Sequence, residues 1–227
     1  MSVMVKQIAG QSLGLLAVMA LALFLPAGTL TWMAGWIFVG LFSGFFLAVN
    51  VWLARRNPDL LQERARLSTS DQPGWDKVLF GGLQVGVVAW LILMALDATR
   101  WHWSHMPVWI QGLGTIILLG SFYLLFLTFR ENSYLSAVVR VQGERGQTVI
   151  ATGPYRYVRH PMYAGIVIFV AGTALLLGSW FGLIVGLLPV AVLARRAVLE
   201  ERTLQQALPG YAAYAARVRY RLIPYVW

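Results

Sequence analysis

Long apolar runs alternate with short charged blocks along the whole chain. The runs cover 8–27, 30–54, 78–98, 108–129, 161–177 and 180–194, and Asp97 is the one charged residue inside them. A helix crosses a bilayer with about 17 to 25 apolar residues, so the first four are long enough to span. The last two are shorter and are joined by Gly178-Ser179, a turn signal that reads them as a helical hairpin. The first run differs from a secretory signal peptide: only Lys6 precedes it, it is long, and no small-residue cleavage site separates it from the second. The pattern predicts an all-α integral membrane protein with about six transmembrane helices.

Charge gives this arrangement a direction. With six crossings, 17 of the 18 Lys and Arg residues fall on one side, and Arg100 alone lies opposite. Basic loops stay on the cytoplasmic side, which predicts cytoplasmic termini and an integral location, a bacterial inner membrane being expected from the Ala, Leu and Arg-rich composition. Eight of the nine acidic residues fall on that side too, Asp97 being the exception, so chemistry is expected there. The net charge of +9 therefore reads as membrane topology, not nucleic-acid binding.

Composition removes other classes. With 59% hydrophobic and 12% charged residues the chain lies outside the range of a soluble domain. Cysteine is absent, which excludes disulfides and thiolate chemistry, and His102, His105 and His160 are too scattered for a histidine metal site. No metal is expected. Glycines such as Gly81, Gly82 and Gly86 are expected to let helices approach closely.

Two short amphipathic stretches accompany the spans. Asn57-Pro58-Asp59 starts a helix through Arg66 with Leu60, Leu61 and Leu67 on its apolar side, expected at the membrane interface. Near the end, Pro209-Gly210 breaks the chain, and Tyr211, Tyr214 and Val218 then share a helical stripe beside Arg217 and Arg221, forming a cytoplasmic C-terminal helix.

The densest polar stretch is Thr152 to Tyr163, Thr-Gly-Pro-Tyr-Arg-Tyr-Val-Arg-His-Pro-Met-Tyr. Gly153-Pro154 marks a turn, and Pro161 suits the first turn of a helix starting near His160. Unpaired N–H groups at that start, with Arg156, Arg159 and His160 around them, favour an anionic group. Past the sixth run, Arg196 and Glu200 are spaced i, i+4 on one helix face, with Glu201 turned by about 100°. The Gly-Ser hairpin returns these residues to the level of His160 and Tyr163. Together the two ends offer N–H groups and arginines for an anion, carboxylates for a cation, and tyrosines that stack on a base or a sulfonium. S-adenosyl-L-methionine carries all three features, although spacing by itself does not name it.

The run Gly153 to Tyr163, followed about forty residues later by Glu200-Glu201 and then by Leu208-Pro209-Gly210-Tyr211, resembles the signature of the isoprenylcysteine carboxyl methyltransferase family. The related phospholipid methyltransferases share its general plan. The resemblance covers roughly 130–224 and implies one structural domain in two regions, a four-span part over 1–130 and a signature part over 131–227. It also implies an S-adenosyl-L-methionine-dependent methyltransferase acting on a lipophilic acceptor from the bilayer, a carboxylate being the leading choice over an amine or thiol. By that implication Gly153, Pro154, Tyr155, Arg159, His160, Pro161 and Tyr163 line the cofactor pocket, Glu200 and Glu201 hold its polar or cationic parts, and Arg196 orients the acceptor carboxylate. Arg196 and Glu200 are the expected catalytic pair. A sterol-type membrane reductase using NADPH, or a non-catalytic scaffold, are the competing readings; few polar groups (Asn50, Gln84, Gln111) lie within the spans to serve transport.

Overall fold

The structure is a computed structural model that describes residues 2–227, in which every regular element is helical. α1 (Ser2–Ala27), α2 (Met33–Arg56), α4 (Gly74–Leu96) and α5 (Val108–Glu131) follow the first four apolar runs, with the short α3 (Pro58–Arg64) between α2 and α4. α6 (Pro161–Leu177), α7 (Trp180–Val185), α8 (Leu187–Ala207) and the short α9 (Tyr211–Arg217) complete the chain. By length and composition α2, α5, α4 with its continuation to Trp101, and α7 with α8 are long and apolar enough to cross a membrane; the apolar parts Ser12–Ala27 and Pro161–Leu177 are shorter. The chain is an all-α integral membrane protein.

Two polar ends bracket the apolar bundle. At one, buried Asp97 accepts from the Ser104 N–H (2.9 Å) and hydroxyl (2.7 Å) and from the Ser179 hydroxyl (2.5 Å), tying the end of α4 to the α6–α7 turn. At the other, Arg64 donates to the Leu135 carbonyl at 3.1 Å and Arg196 pairs with Asp76, which joins α3, α4, α8 and the long 132–160 connection. The six long passes alternate between these ends. Gly178, at φ +79, makes the turn out of α6, and the Ser179 hydroxyl caps α7 through the Gly182 N–H.

α5 and α6 form the closest pair. A Cβ on Gly172 would lie 2.6 Å from the Leu118 backbone nitrogen, and one on Gly165 2.8 Å from the Leu125 side chain; Gly114 faces the α6 backbone just as tightly. Small residues here bring backbones together in a medium where apolar burial gives no advantage over lipid. Gly81, Gly82 and Gly86 do not serve this purpose: a Cβ on any of them meets no heavy atom within 4 Å. Their face of α4 is open, so the close-packing glycines lie on the other helices.

Three further details add to the expected picture. The last pass is interrupted at Gly186, because Pro189 has no N–H to donate to the Val185 carbonyl. In α3, Asn57 accepts from the Leu60 N–H at 3.1 Å and Leu60 and Leu61 are buried, but Leu67 lies beyond the helix and is exposed. In α9, Tyr211 and Tyr214 pack with Leu208 and Val218 against Val141, Val149 and Ala151, so its apolar stripe faces the 132–160 connection.

Candidate active site

The local sequence builds one wall of the site. Gly153, at φ +54, opens a single 3-10 turn (Gly153–Arg156); a Cβ there would meet the Glu131 carboxyl carbon at 2.8 Å. Tyr155 is buried, its hydroxyl accepts from Asn132 Nδ2 at 3.0 Å, and its carbonyl accepts from the Tyr214 hydroxyl at 2.8 Å. The N–H groups of Arg159 and His160 donate to the Tyr220 and Arg221 carbonyls, both at 2.9 Å, so the C-terminal segment closes the turn. Pro161 then starts α6 with no side-chain cap, and the N–H groups of Met162 and Tyr163 have no acceptor among the described residues. Of the helix-start donors expected for an anion, those at Arg159 and His160 are engaged and these two are open.

α8 supplies the facing wall, and its two glutamates have different surroundings. Glu200 accepts from the Tyr163 hydroxyl at 2.6 Å and lies 4.0 Å from His160 Nδ1. Its side chain is 25% exposed, against 5% for Glu201. Glu201 is enclosed by Arg159 (2.6 Å), His160 Nε2 (3.1 Å) and Arg221 (3.0 Å), three cations or potential cations on one carboxylate. The His160 and Tyr163 rings stack at 5.3 Å and 5°.

Arg196 is already partnered. Its Nε donates to Asp76 Oδ1 at 2.7 Å and its Nη2 to Asp76 Oδ2 at 3.3 Å and to the Ala137 carbonyl at 2.9 Å. Asp76, fully buried, also accepts from the Val139 N–H (2.9 Å) and Gln72 Nε2 (2.8 Å). Across the connection, Arg140 bonds Glu63, Asp71 and Glu144. Burial works against the Arg140 charge, and these three bonds more than offset it and hold its pKa above the usual arginine value.

These walls enclose a cavity of about 120 Å³. Tyr155, Arg159, His160, Pro161, Tyr163, Arg196 and Glu200 line it; Gly153, Pro154 and Glu201 support lining residues from outside. The 148–150 segment, Leu208, Tyr211 and Tyr214 close the far side. The Tyr211 hydroxyl is buried without a hydrogen-bond partner among the described residues, and burial pushes its phenol, like that of Tyr155, above the ordinary range, so both remain neutral. The arginines that line the cavity are each ion-paired, which leaves Glu200 as the lining carboxylate with no arginine on it.

Asp76 was not legible as a site residue, since an aspartate at the mouth of a span reads as an ordinary helix start. The available signal was a basic residue, Arg196, at the mouth of another span needing a buried partner. Tyr211 was visible as part of a stripe, without a site role. No group of three or more His, Asp or Glu side chains is placed to hold a metal among the described residues.

Residues 109–209, from the start of α5 past the end of α8, match the family model described as phospholipid methyltransferase. No curated protein matches the chain.

Proposed function

We propose, on the premise that this chain is a membrane methyltransferase of the phospholipid methyltransferase family over residues 109–209, that its donor is S-adenosyl-L-methionine and its acceptor a lipophilic carboxylate. The observation that carries the donor is Glu200, a partly exposed carboxylate with no arginine ion pair among the described residues, at the junction of α6 and α8. A sulfonium is a cation that needs such a group beside it, with aromatic faces nearby. When bound, the donor supplies an electrophilic methyl group.

The residues present suit it in two further respects. The open N–H groups of Met162 and Tyr163 offer a helix start to a carboxylate, and the orphaned Tyr211 hydroxyl offers a buried contact to a polar ring or sugar. Glu201 holds Arg159 and His160 in place behind the wall, and the Gly153–Pro154 turn sets Tyr155. Arg196 lines the same cavity and retains one guanidinium nitrogen, Nη1, with no acceptor among the described residues. It would receive the acceptor. A carboxylate is ionised at neutral pH, so transfer asks for alignment and a dry site and needs no general base.

The acceptor reaches the cavity from the bilayer, because the site sits at the ends of spanning helices. Seventeen of the 18 basic residues belong to that end, which supports a cytoplasmic site under the positive-inside rule. Calorimetric titration of detergent-purified protein with S-adenosylhomocysteine, with NADPH in parallel, tests the donor. Saturable binding of the first alone is expected; binding of NADPH alone replaces the reading with a reductase, and silence from both removes the donor assignment. Labelled-methyl transfer into lipid acids, with phosphatidylethanolamine alongside, then tests the acceptor, and label in the amine alone sinks the carboxylate.

A further inference from the structure

We infer that Asp76 is a positioning residue that sets how Arg196 meets the acceptor, leaving it Nη1 and withholding the Nε–Nη2 edge. This rests on the carboxylate reading above. Asp76 comes from α4, 120 positions earlier in the chain, and engages both Nε and Nη2 of Arg196. It is itself held by the Val139 N–H and Gln72, and Arg196 by the Ala137 carbonyl, so the pair cannot rotate as a unit without losing three more bonds. Arg196 is thereby fixed before any acceptor arrives, with Nη1 as its remaining donor.

The chemical consequence concerns the nucleophile. An unpaired arginine grips a carboxylate through two parallel N–H···O bonds, one to each oxygen. Both oxygens then have lone-pair density drawn into hydrogen bonds, and the bound acceptor is stabilised more than the transition state. A single contact from Nη1 holds one oxygen and leaves the other free. A lone pair of that oxygen forms the new O–CH3 bond while the S–CH3 bond breaks and its electron pair stays on sulfur. No proton moves, and the products are a neutral ester and a neutral thioether. Asp76 also offsets the Arg196 charge, so the neutral ester is not retained by a bare cation.

The test is the split between kcat and KM, read by labelled-methyl transfer to two carboxylate probes, a prenylated cysteine and a long-chain fatty acid. Asp76→Asn removes the charge that fixes the Nε–Nη2 edge, and Arg196, then held chiefly by the Ala137 carbonyl, is able to turn that edge towards both oxygens. The substitution is expected to lower kcat by about tenfold or more while KM for the probe also falls, by about threefold, the pattern of excess ground-state binding. Simple structural damage raises KM, so an increase in KM, or no change in either constant, overturns the inference. If Asp76→Asn does not fold, Arg196→Lys decides. Lysine keeps the ion pair with Asp76 but has no second planar edge. A loss of about a hundredfold in kcat/KM with S-adenosylhomocysteine affinity within about twofold of wild type supports the assignment, and retention of more than about a third of kcat/KM overturns it. Wild-type protein that binds S-adenosylhomocysteine but methylates neither probe overturns the carboxylate reading, and this inference with it. Transfer in the wild type with unaltered constants in Asp76→Asn overturns this inference alone.

Discussion

The Tyr163 hydroxyl donates to Glu200 at 2.6 Å while its ring lies parallel to that of His160, so a donor on α6 holds the α8 carboxylate at one oxygen and leaves the other open. If that open oxygen faces a sulfonium, Glu200→Gln should reduce the preference for S-adenosylmethionine over S-adenosylhomocysteine, the product that lacks the sulfonium charge, by roughly tenfold, the worth of one charge-assisted contact. Tyr163→Phe should act in the same direction and more weakly. Competition binding reads the ratio, and an unchanged ratio in both variants takes Glu200 away from the sulfonium.

Glu201 should behave differently from its neighbour. Its carboxylate neutralises Arg159 and Arg221 and accepts from His160, and it is nearly inaccessible. Removing one member of a buried ion cluster leaves the others uncompensated, at a cost of about 3–5 kcal/mol. Glu201→Gln is therefore expected to lower the thermal unfolding midpoint of the empty protein markedly, whereas Glu200→Gln leaves it almost unchanged. Differential scanning calorimetry in detergent separates the two, and equal midpoints would contradict the division of labour.

The Tyr211 hydroxyl is buried and unpaired, and such a group costs about 1–3 kcal/mol when nothing bonds it. Tyr211→Phe should stabilise the empty protein and at the same time weaken S-adenosylhomocysteine binding. A gain in stability with no loss of affinity would place the hydroxyl outside the ligand.

Alkaline pH should loosen the roof over the cavity. Burial pushes the Tyr214 phenol up to about 12, and its hydroxyl holds the Tyr155 carbonyl. An exposed tyrosine titrates near ~10, so the folded value is the higher of the two. The associated stability is intact below about pH 10 and is lost as pH rises from there towards the folded value. Wild-type unfolding midpoints should fall over that window, and Tyr214→Phe, though less stable at neutral pH, should flatten the fall.

Glycines give a sharp structural contrast. Gly172→Ala places a methyl against the Leu118 backbone, where rigid helices cannot yield cheaply, and should cost about 1–3 kcal/mol. Gly82→Ala enters open space and should be neutral or mildly stabilising, because alanine is the better helix former. Equal effects at the two positions would show that α5 and α6 are not in close contact.

Sequence alone determined the class of protein, the six apolar passes, the turn at Gly178, the helix start at Pro161 and the convergence of His160, Tyr163 and Glu200. Each follows from local causes: the length of apolar runs, the missing N–H of proline, the permissive backbone of glycine and a short hairpin that returns the chain to its level. Only the tertiary structure decided that Glu201 is enclosed while Glu200 is open, that Arg196 is claimed by Asp76, and that Gly114 and Gly172 are the close-packing glycines while Gly81, Gly82 and Gly86 face outward. Spacing on a helix separates Glu200 from Glu201 by an angle and says nothing of what stands at each angle. A buried ion pair is chosen between residues 120 positions apart by the way whole helices pack, and no local pattern carries that choice.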